Sequence, residues 1–534
     1  MPASHFRALR GAAVAAAWTI AIGGAQPPAP AAFDLEEATI AGLQQRMQQG
    51  QDTSRSIVDK YLARIEAVDR TGPSLRSVIE VNPDARTIAD QLDAERKARG
   101  PRGPLHGVPV LIKDNIATAD RMMTTAGSLA LAGVVPPKDA FIAARLRQAG
   151  AVILGKTNLS EWANFCSTHS TSGWSGRGGQ TRNPYALDRN PSGSSSGTGA
   201  AIAANLAAAG VGTETDGSIV SPSNNNGLVG IKPTLGLLSR SGIVPIAHSQ
   251  DTAGPMTRTV ADAAVMLDAM SGADVDDPPT RRSTPIDYTR WLDAHGLEGA
   301  RIGVVRNKYF GYSPAADRLA EAAIAEMKKQ GAIVVDPANI ATLGKFDDGE
   351  FEVLLYEFKA DLNKYLTWLG AASPVHSLKD VIAFNEAHKD QEMPYFGQEI
   401  MAMAEKKGPL TSAKYTTALA RNRQMARALG IDATMTRFKL DALVAPTSGP
   451  AGLIDLVNGD SSSGGSSPST VTSVAGYPHI TVPAGYVRGL PVGISFFGRA
   501  WSETTLIKLA YAYEQATKHR QPPTFAPTAD LSRR

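Results

Sequence analysis

Two periodicities of apolar and polar positions run through this chain. Ile57, Val58, Tyr61, Leu62, Ile65 and Val68 recur at helical spacing, and Asp52 or Thr53 stands where a cap would start that helix. Short apolar runs set among glycines follow at 110–112, 152–154 and 211–215, each the length of a buried strand. Residues 302–305 read as a strand, 315–330 as a helix that Gly331 stops, and 333–335 as a second strand. That order predicts parallel pairing across a helical crossover. Further strands are expected at 443–445, 480–482 and 492–496, with a closing helix over 503–519. Strands alternating with helices over the whole length predict an α/β layered fold. Residues 346–429 read as mostly helical and charged, a cap or an insertion. Residues 458–469 read as a Ser/Gly/Asp-rich surface loop.

Composition narrows the class. Of 534 residues 43% are hydrophobic and 20% charged, a globular profile with ample length for a large core. A net charge of +3 gives no whole-chain field that would draw nucleic acid or a membrane surface. Cys166 is the one cysteine, so neither an intramolecular disulfide nor a cysteine-held zinc is expected. No two histidines stand at i, i+4 with a carboxylate between them, so no metal is expected. At the N-terminus, Arg7 and Arg10 precede an apolar run over 11–22 and the small residues Gly23, Gly24 and Ala25. This predicts a secretory signal over 1–25, a Pro/Ala-rich linker over 26–32 and a single domain over 33–534. The run falls short of the roughly 20 residues a membrane span needs. The expectation is an exported protein, periplasmic or secreted, with no stable membrane association after signal removal.

The densest chemistry lies between Ser192 and Ile231. Small residues there permit tight turns and close backbone approach to a ligand. A helix of alanines is expected over 200–209, its N-terminus just after the serine cluster, where free N–H groups favour negative charge. Gly193 to Gly197 fits G-x-S-x-G with Ser195 central, the pattern of a nucleophile elbow. The elbow needs a strand directly before it, and 185–191 read as a loop. Gly150 to Thr157 satisfies the P-loop pattern letter for letter, yet Val152, Ile153 and Leu154 read as the strand itself, so no nucleotide site is expected.

Several blocks together resemble the amidase signature family. Residues 193–201 resemble its Ser/Gly-rich segment, 212–219 its nucleophile loop and 108–115 its lysine strand. Residues 155–161, 230–234 and 249–255 match further blocks in the same order. Asp216 stands where many members have glycine, and Val220 where many have arginine. The Thr-Asp-Gly-Ser-Ile-Val run, with 173–175 and 179–184 upstream, is most similar to bacterial peptide amidases, which hydrolyse the C-terminal amide of peptides. The resemblance implies the amidase signature fold, a large mixed twisted β-sheet covered by helices on both faces. It also implies a small-molecule or peptide amide substrate and no cofactor. It assigns Ser218 as nucleophile, Ser194 as a proton relay held in a cis peptide, and Lys113 as base, with the N–H groups of Thr215, Asp216, Gly217 and Ser218 receiving the oxyanion. Histidine is the usual base for a serine and a desolvated lysine the substitute. Lys113 fits that role through its apolar flank, since burial lowers an amine pKa. A Ser–His pair using His106, His169 or His248 remains open on the sequence alone, as do Lys156 and Lys232 as bases. The A chain of a glutaminyl-tRNA amidotransferase is the other reading within the family.

Overall fold

The computed structural model describes residues 33–461 and 467–532. The expected signal and linker lie outside the described residues, as does the middle of the Ser/Gly-rich loop. Thirteen strands are present: β1 (Val78–Val81), β2 (Pro109–Lys113), β3 (Val152–Thr157), β4 (Trp174–Ser175), β5 (Gly179–Gln180), β6 (Ala209–Glu214), β7 (Val229–Lys232), β8 (Thr252–Thr257), β9 (Arg301–Val304), β10 (Ile333–Val335), β11 (Ala442–Pro446), β12 (His479–Val487) and β13 (Leu490–Phe497). Eleven of them form one sheet in the order β1-β3-β2-β6-β8-β7-β12-β13-β11-β9-β10, and β4 and β5 make a separate ribbon.

Pairing is parallel for β3-β2-β6 and for β11-β9-β10, and antiparallel from β6 through β13 to β11 and at β1. This is the mixed α/β sheet flanked by helices that the sequence predicts. Apolar runs without alternation belong to strands covered on both faces. Accordingly β2, β3, β6, β7, β8 and β11 are buried along their whole length, while the edge strands β1 and β10 are half-exposed.

Most expected elements fall within a residue or two of their places. Thr53, not Asp52, caps the helix Ser54–Arg64, trading bonds with Ser56 in a capping box. Residues 333–335 pair parallel with β9 as expected. The alanine helix is the main correction. It spans Ser196–Ala203, so it begins inside the serine cluster, and residues 204–208 turn the chain into β6. Close packing fixes this position: a Cβ at Gly197 would lie 2.3 Å from the Ser77 carbonyl oxygen and 2.4 Å from that of Asn158. Only a helix stripped of side chains there can lie against those segments. The P-loop pattern is confirmed as strand, since Gly155, Lys156 and Thr157 continue β3.

Residues 346–429 are helical, led by Asp347–Leu369. Phe358, Leu362 and Leu366 of that helix share an apolar core with Trp162, Trp174 and Val244 from segments beside the Ser/Gly-rich region. Burial of these side chains fastens the helical segment against those segments.

Candidate active site

Lys113 is the last residue of β2, and β6 is its neighbour in the sheet. The side chain is fully buried. Its Nζ lies 2.8 Å from Ser194 Oγ, 2.9 Å from Thr213 Oγ1 and 3.3 Å from the Thr213 carbonyl oxygen. A neutral amine has two N–H groups and one lone pair. Two donations to Thr213 leave the lone pair facing the Ser194 hydroxyl, the arrangement a base needs. Burial pulls Lys113 down to about 7, against the opposing charges of Asp251 and Glu214. Glu214 is buried and Asp251 half-buried, and desolvation pushes both upward, Asp251 to about 7. Asp114 does not pair with Lys113; it accepts from the Thr125 hydroxyl and from Arg177.

The turn after β6 carries Thr215, Asp216, Gly217 and Ser218. Gly217 has φ +78°, a left-handed conformation that glycine adopts without steric penalty. Every side of this turn is tied. The Thr215 hydroxyl donates to Asp251 Oδ1 at 2.6 Å, and Thr470 donates to Asp216 Oδ2 at 2.8 Å. Ser195 N–H donates to the Ser218 carbonyl at 3.2 Å, which sets Ser218 beside the serine segment. Glu214 accepts from the Ile219 and Val220 N–H groups at 2.7 and 3.0 Å. By contrast, the N–H groups of Thr215, Asp216, Gly217 and Ser218 meet no acceptor among the described residues. Successive free amides in a turn form a concavity that attracts negative charge.

The structure therefore brings Lys113 and Ser194 into direct contact and places Ser218 next to them through the backbone. No hydrogen bond joins the Ser194 and Ser218 hydroxyls among the described residues. The Gly193–Ser194 peptide is cis. Ser195 is spent on structure: its hydroxyl donates to the Thr213 carbonyl and accepts the Thr213 N–H. The strand an elbow requires is missing ahead of it. Lys156 Nζ donates to the Ile116 carbonyl and to Thr124, each at 2.7 Å, and Lys232 Nζ to the Pro233 carbonyl at 3.4 Å, so both are anchored away from the serines.

Residues 56–507 match the family model described as Amidase, which decides the assignment. The chain belongs to the amidase family. A probable amidase of Arabidopsis thaliana is 44% identical over 505 residues, covering 92% of each chain. The solved structure of native peptide amidase from Stenotrophomonas maltophilia is 51% identical, with a TM-score of 0.88 over 92% of this chain and 100% of that one. The A chain of the glutamyl-tRNA(Gln) amidotransferase of Halorhodospira halophila is 35% identical over 500 residues, covering 92% of this chain and 99% of its own.

The histidines of this amidase bond elsewhere. His106 contacts the Leu92 carbonyl at 2.9 Å, and His169 is exposed beside Thr168 and Glu399. His248 Nδ1 lies 2.8 Å from Asp361, and its Nε2 lies 3.5 Å from both Glu357 and Tyr415. His248, Glu357 and Asp361 bring their ligand atoms within 4.8 Å of one another, a grouping able to hold a cation. A motif search along the sequence misses it, because the histidine is more than a hundred positions from the acids. Both ring nitrogens already face acid or hydroxyl groups, which suits an ion triad. His248 and Asp361 line a cavity of about 460 Å³ together with Asn115, Thr213, Thr215, Tyr365 and Trp368.

Proposed function

We propose that this amidase hydrolyses primary carboxamides, with C-terminal peptide amides the favoured class, through an acyl-enzyme on Ser218. The observation that carries the reading is the buried contact of Lys113 with Ser194 beside a turn of free backbone amides. As Ser218 Oγ attacks the carbonyl carbon, its proton passes to Ser194 Oγ while the Ser194 proton passes to Lys113 Nζ. The carbonyl oxygen becomes an oxyanion facing the turn's N–H groups. Collapse expels the amine, which takes the proton back along the same path and leaves as ammonia. Water then attacks the ester, giving its proton through Ser194 to Lys113, and the relay returns a proton to Ser218 Oγ as the acid is freed. Every reacting group here is supplied by the chain.

The 51% identity to a peptide amidase favours the peptide class over simple aliphatic amides. A C-terminal peptide amide, an aliphatic amide and an anilide, assayed side by side on purified protein, test this; highest kcat/KM on the peptide amide is expected. Comparable rates on all three would withdraw the substrate class while leaving the chemistry. The 35% identity to an amidotransferase chain favours a second reading, in which the amide nitrogen is transferred to an acceptor and not only released to water; an ammonia-release assay with and without added acceptor separates the two. We also propose export, on the basic and apolar N-terminus.

Ser194→Ala is expected to lower kcat by about 10²- to 10⁴-fold, the usual worth of one acid–base group, with residual turnover where water bridges the gap. Pre-steady-state release of ammonia checks it; a burst at the normal rate would remove Ser194 from the relay.

A further inference from the structure

We infer that Gln250 and Glu350 are positioning residues for the oxyanion turn: Glu350, on the helix Asp347–Leu369, fixes the Gln250 amide, which in turn aims the Asp216 N–H. The inference rests on the proposed role of that turn. Gln250 Nε2 donates at 3.2 Å to the Thr215 carbonyl and at 2.8 Å to Glu350 Oε1. Both side chains are buried. The Thr215–Asp216 peptide is trans, because the cis bonds of the chain lie at Gly193–Ser194 and Asp336–Pro337. In a trans peptide the carbonyl and the following N–H point in opposite directions across one rigid plane. Holding the Thr215 carbonyl on the Gln250 side therefore turns the Asp216 N–H to the opposite side, where it has no acceptor within the described residues.

A single bond to Thr215 would leave the Gln250 amide free to swing. The second N–H is taken by Glu350, so the amide is held from two directions. Burial holds the Glu350 carboxyl well above the usual carboxylate range, and the nearby Asp216 charge acts the same way. A neutral acid still offers its carbonyl oxygen as acceptor, so the bridge needs no charge on Glu350. The neighbouring Asp251 holds the Thr215 hydroxyl, so consecutive residues of one loop grip the carbonyl and the side chain of the same residue. This also gives the helical segment over 346–429 a part in the chemistry, through one side chain of its first turn.

The test compares Gln250→Met, Glu350→Met and Glu350→Gln with wild type for kcat, KM, thermal midpoint and the rate of fluorophosphonate labelling at Ser218. A misaimed donor weakens an interaction made mainly in the transition state, so kcat should fall while KM holds. Gln250→Met is expected to lose about 10- to 100-fold in kcat and in labelling rate, less than outright deletion of an oxyanion donor. Glu350→Met should fall in the same direction. Glu350→Gln keeps an acceptor oxygen and should stay within about threefold of wild type, since a like bond replaces a like bond. Wild type that is not labelled on Ser218 refutes the nucleophile assignment beneath the inference. Wild type that is labelled, with Gln250→Met equally fast, refutes the inference alone. A rise in KM at constant kcat also overturns it, by making Gln250 a substrate contact. If Gln250→Met does not fold, the contrast between Glu350→Gln and Glu350→Met decides the matter. Equal activity in those two variants overturns it.

Discussion

Ser218→Ala is expected to abolish turnover, by about 10⁴-fold or more, while leaving the fold intact. Removal of the nucleophile from a serine hydrolase leaves only binding and electrostatic rate enhancement. The side chain exchanged is small, and its hydroxyl makes no hydrogen bond among the described residues, so unfolding transitions should coincide with wild type. Intact-mass analysis after an activated fluorophosphonate should show one adduct on wild type, mapped to Ser218, and none on the variant. An adduct on Ser195 instead would revive the elbow reading. That outcome would be hard to reconcile with a Ser195 hydroxyl locked between the Thr213 carbonyl and amide.

Lys113→Arg is expected to be about as inactive as Lys113→Ala, with losses of about 10²- to 10⁴-fold in the acylation rate. Guanidinium stays charged and cannot take a proton, so retention of positive charge does not rescue a base. The sign of the pH dependence follows from burial. Lys113, pulled down to about 7, is an ammonium below that pH and a free amine above it. Activity should therefore climb tenfold per pH unit on the acid side and level off above neutrality. Asp251 is pushed to about 7 as well and acts on Lys113 through its charge, so the observed midpoint belongs to the pair. Lys156 and Lys232 are also buried and lowered, each to about 8. Arginine at either of those positions should damage stability without moving the midpoint. A working Lys113→Arg enzyme, together with collapse on replacing His106, His169 or His248, would replace this mechanism with a Ser–His one.

Much of the candidate site is legible in the sequence because the groups proposed to react lie in short contiguous blocks. Val110, Leu111 and Ile112 announce a buried strand, and Lys113 inherits their burial. Gly217 announces a turn, and Ser218 sits on it. What the sequence does not reveal comes from distance along the chain. Thr213, the partner of Lys113, lies one hundred positions away on the adjacent strand. Thr470 meets Asp216 across 254 positions. No local periodicity encodes such contacts; they follow from which strands become neighbours. The helix over 196–203 is misplaced by the sequence for the opposite reason. Alanine propensity points to 200–209, but the helix starts where Gly197 lets it lie against the Ser77 and Asn158 carbonyls, and residues 204–208 are needed to turn the chain into β6. Asp216, a departure from the usual family glycine, is where the C-terminal half grips the turn.

The sheet order has a consequence for when the protein becomes an enzyme. Strands β1, β2, β3, β6, β7 and β8 form one flank, and β9 to β13 form the other, with β7 meeting β12 at the seam. A chain made from its N-terminus has produced Lys113, Ser194 and Ser218 by the time β8 ends at Thr257. Glu350, which bonds Gln250, and Thr470, which bonds Asp216, are still unmade. The nascent first half therefore carries the turn over 215–218 without two of the contacts that fix it. On the mechanism proposed above, a fixed place for the oxyanion is completed only by residues of the second half.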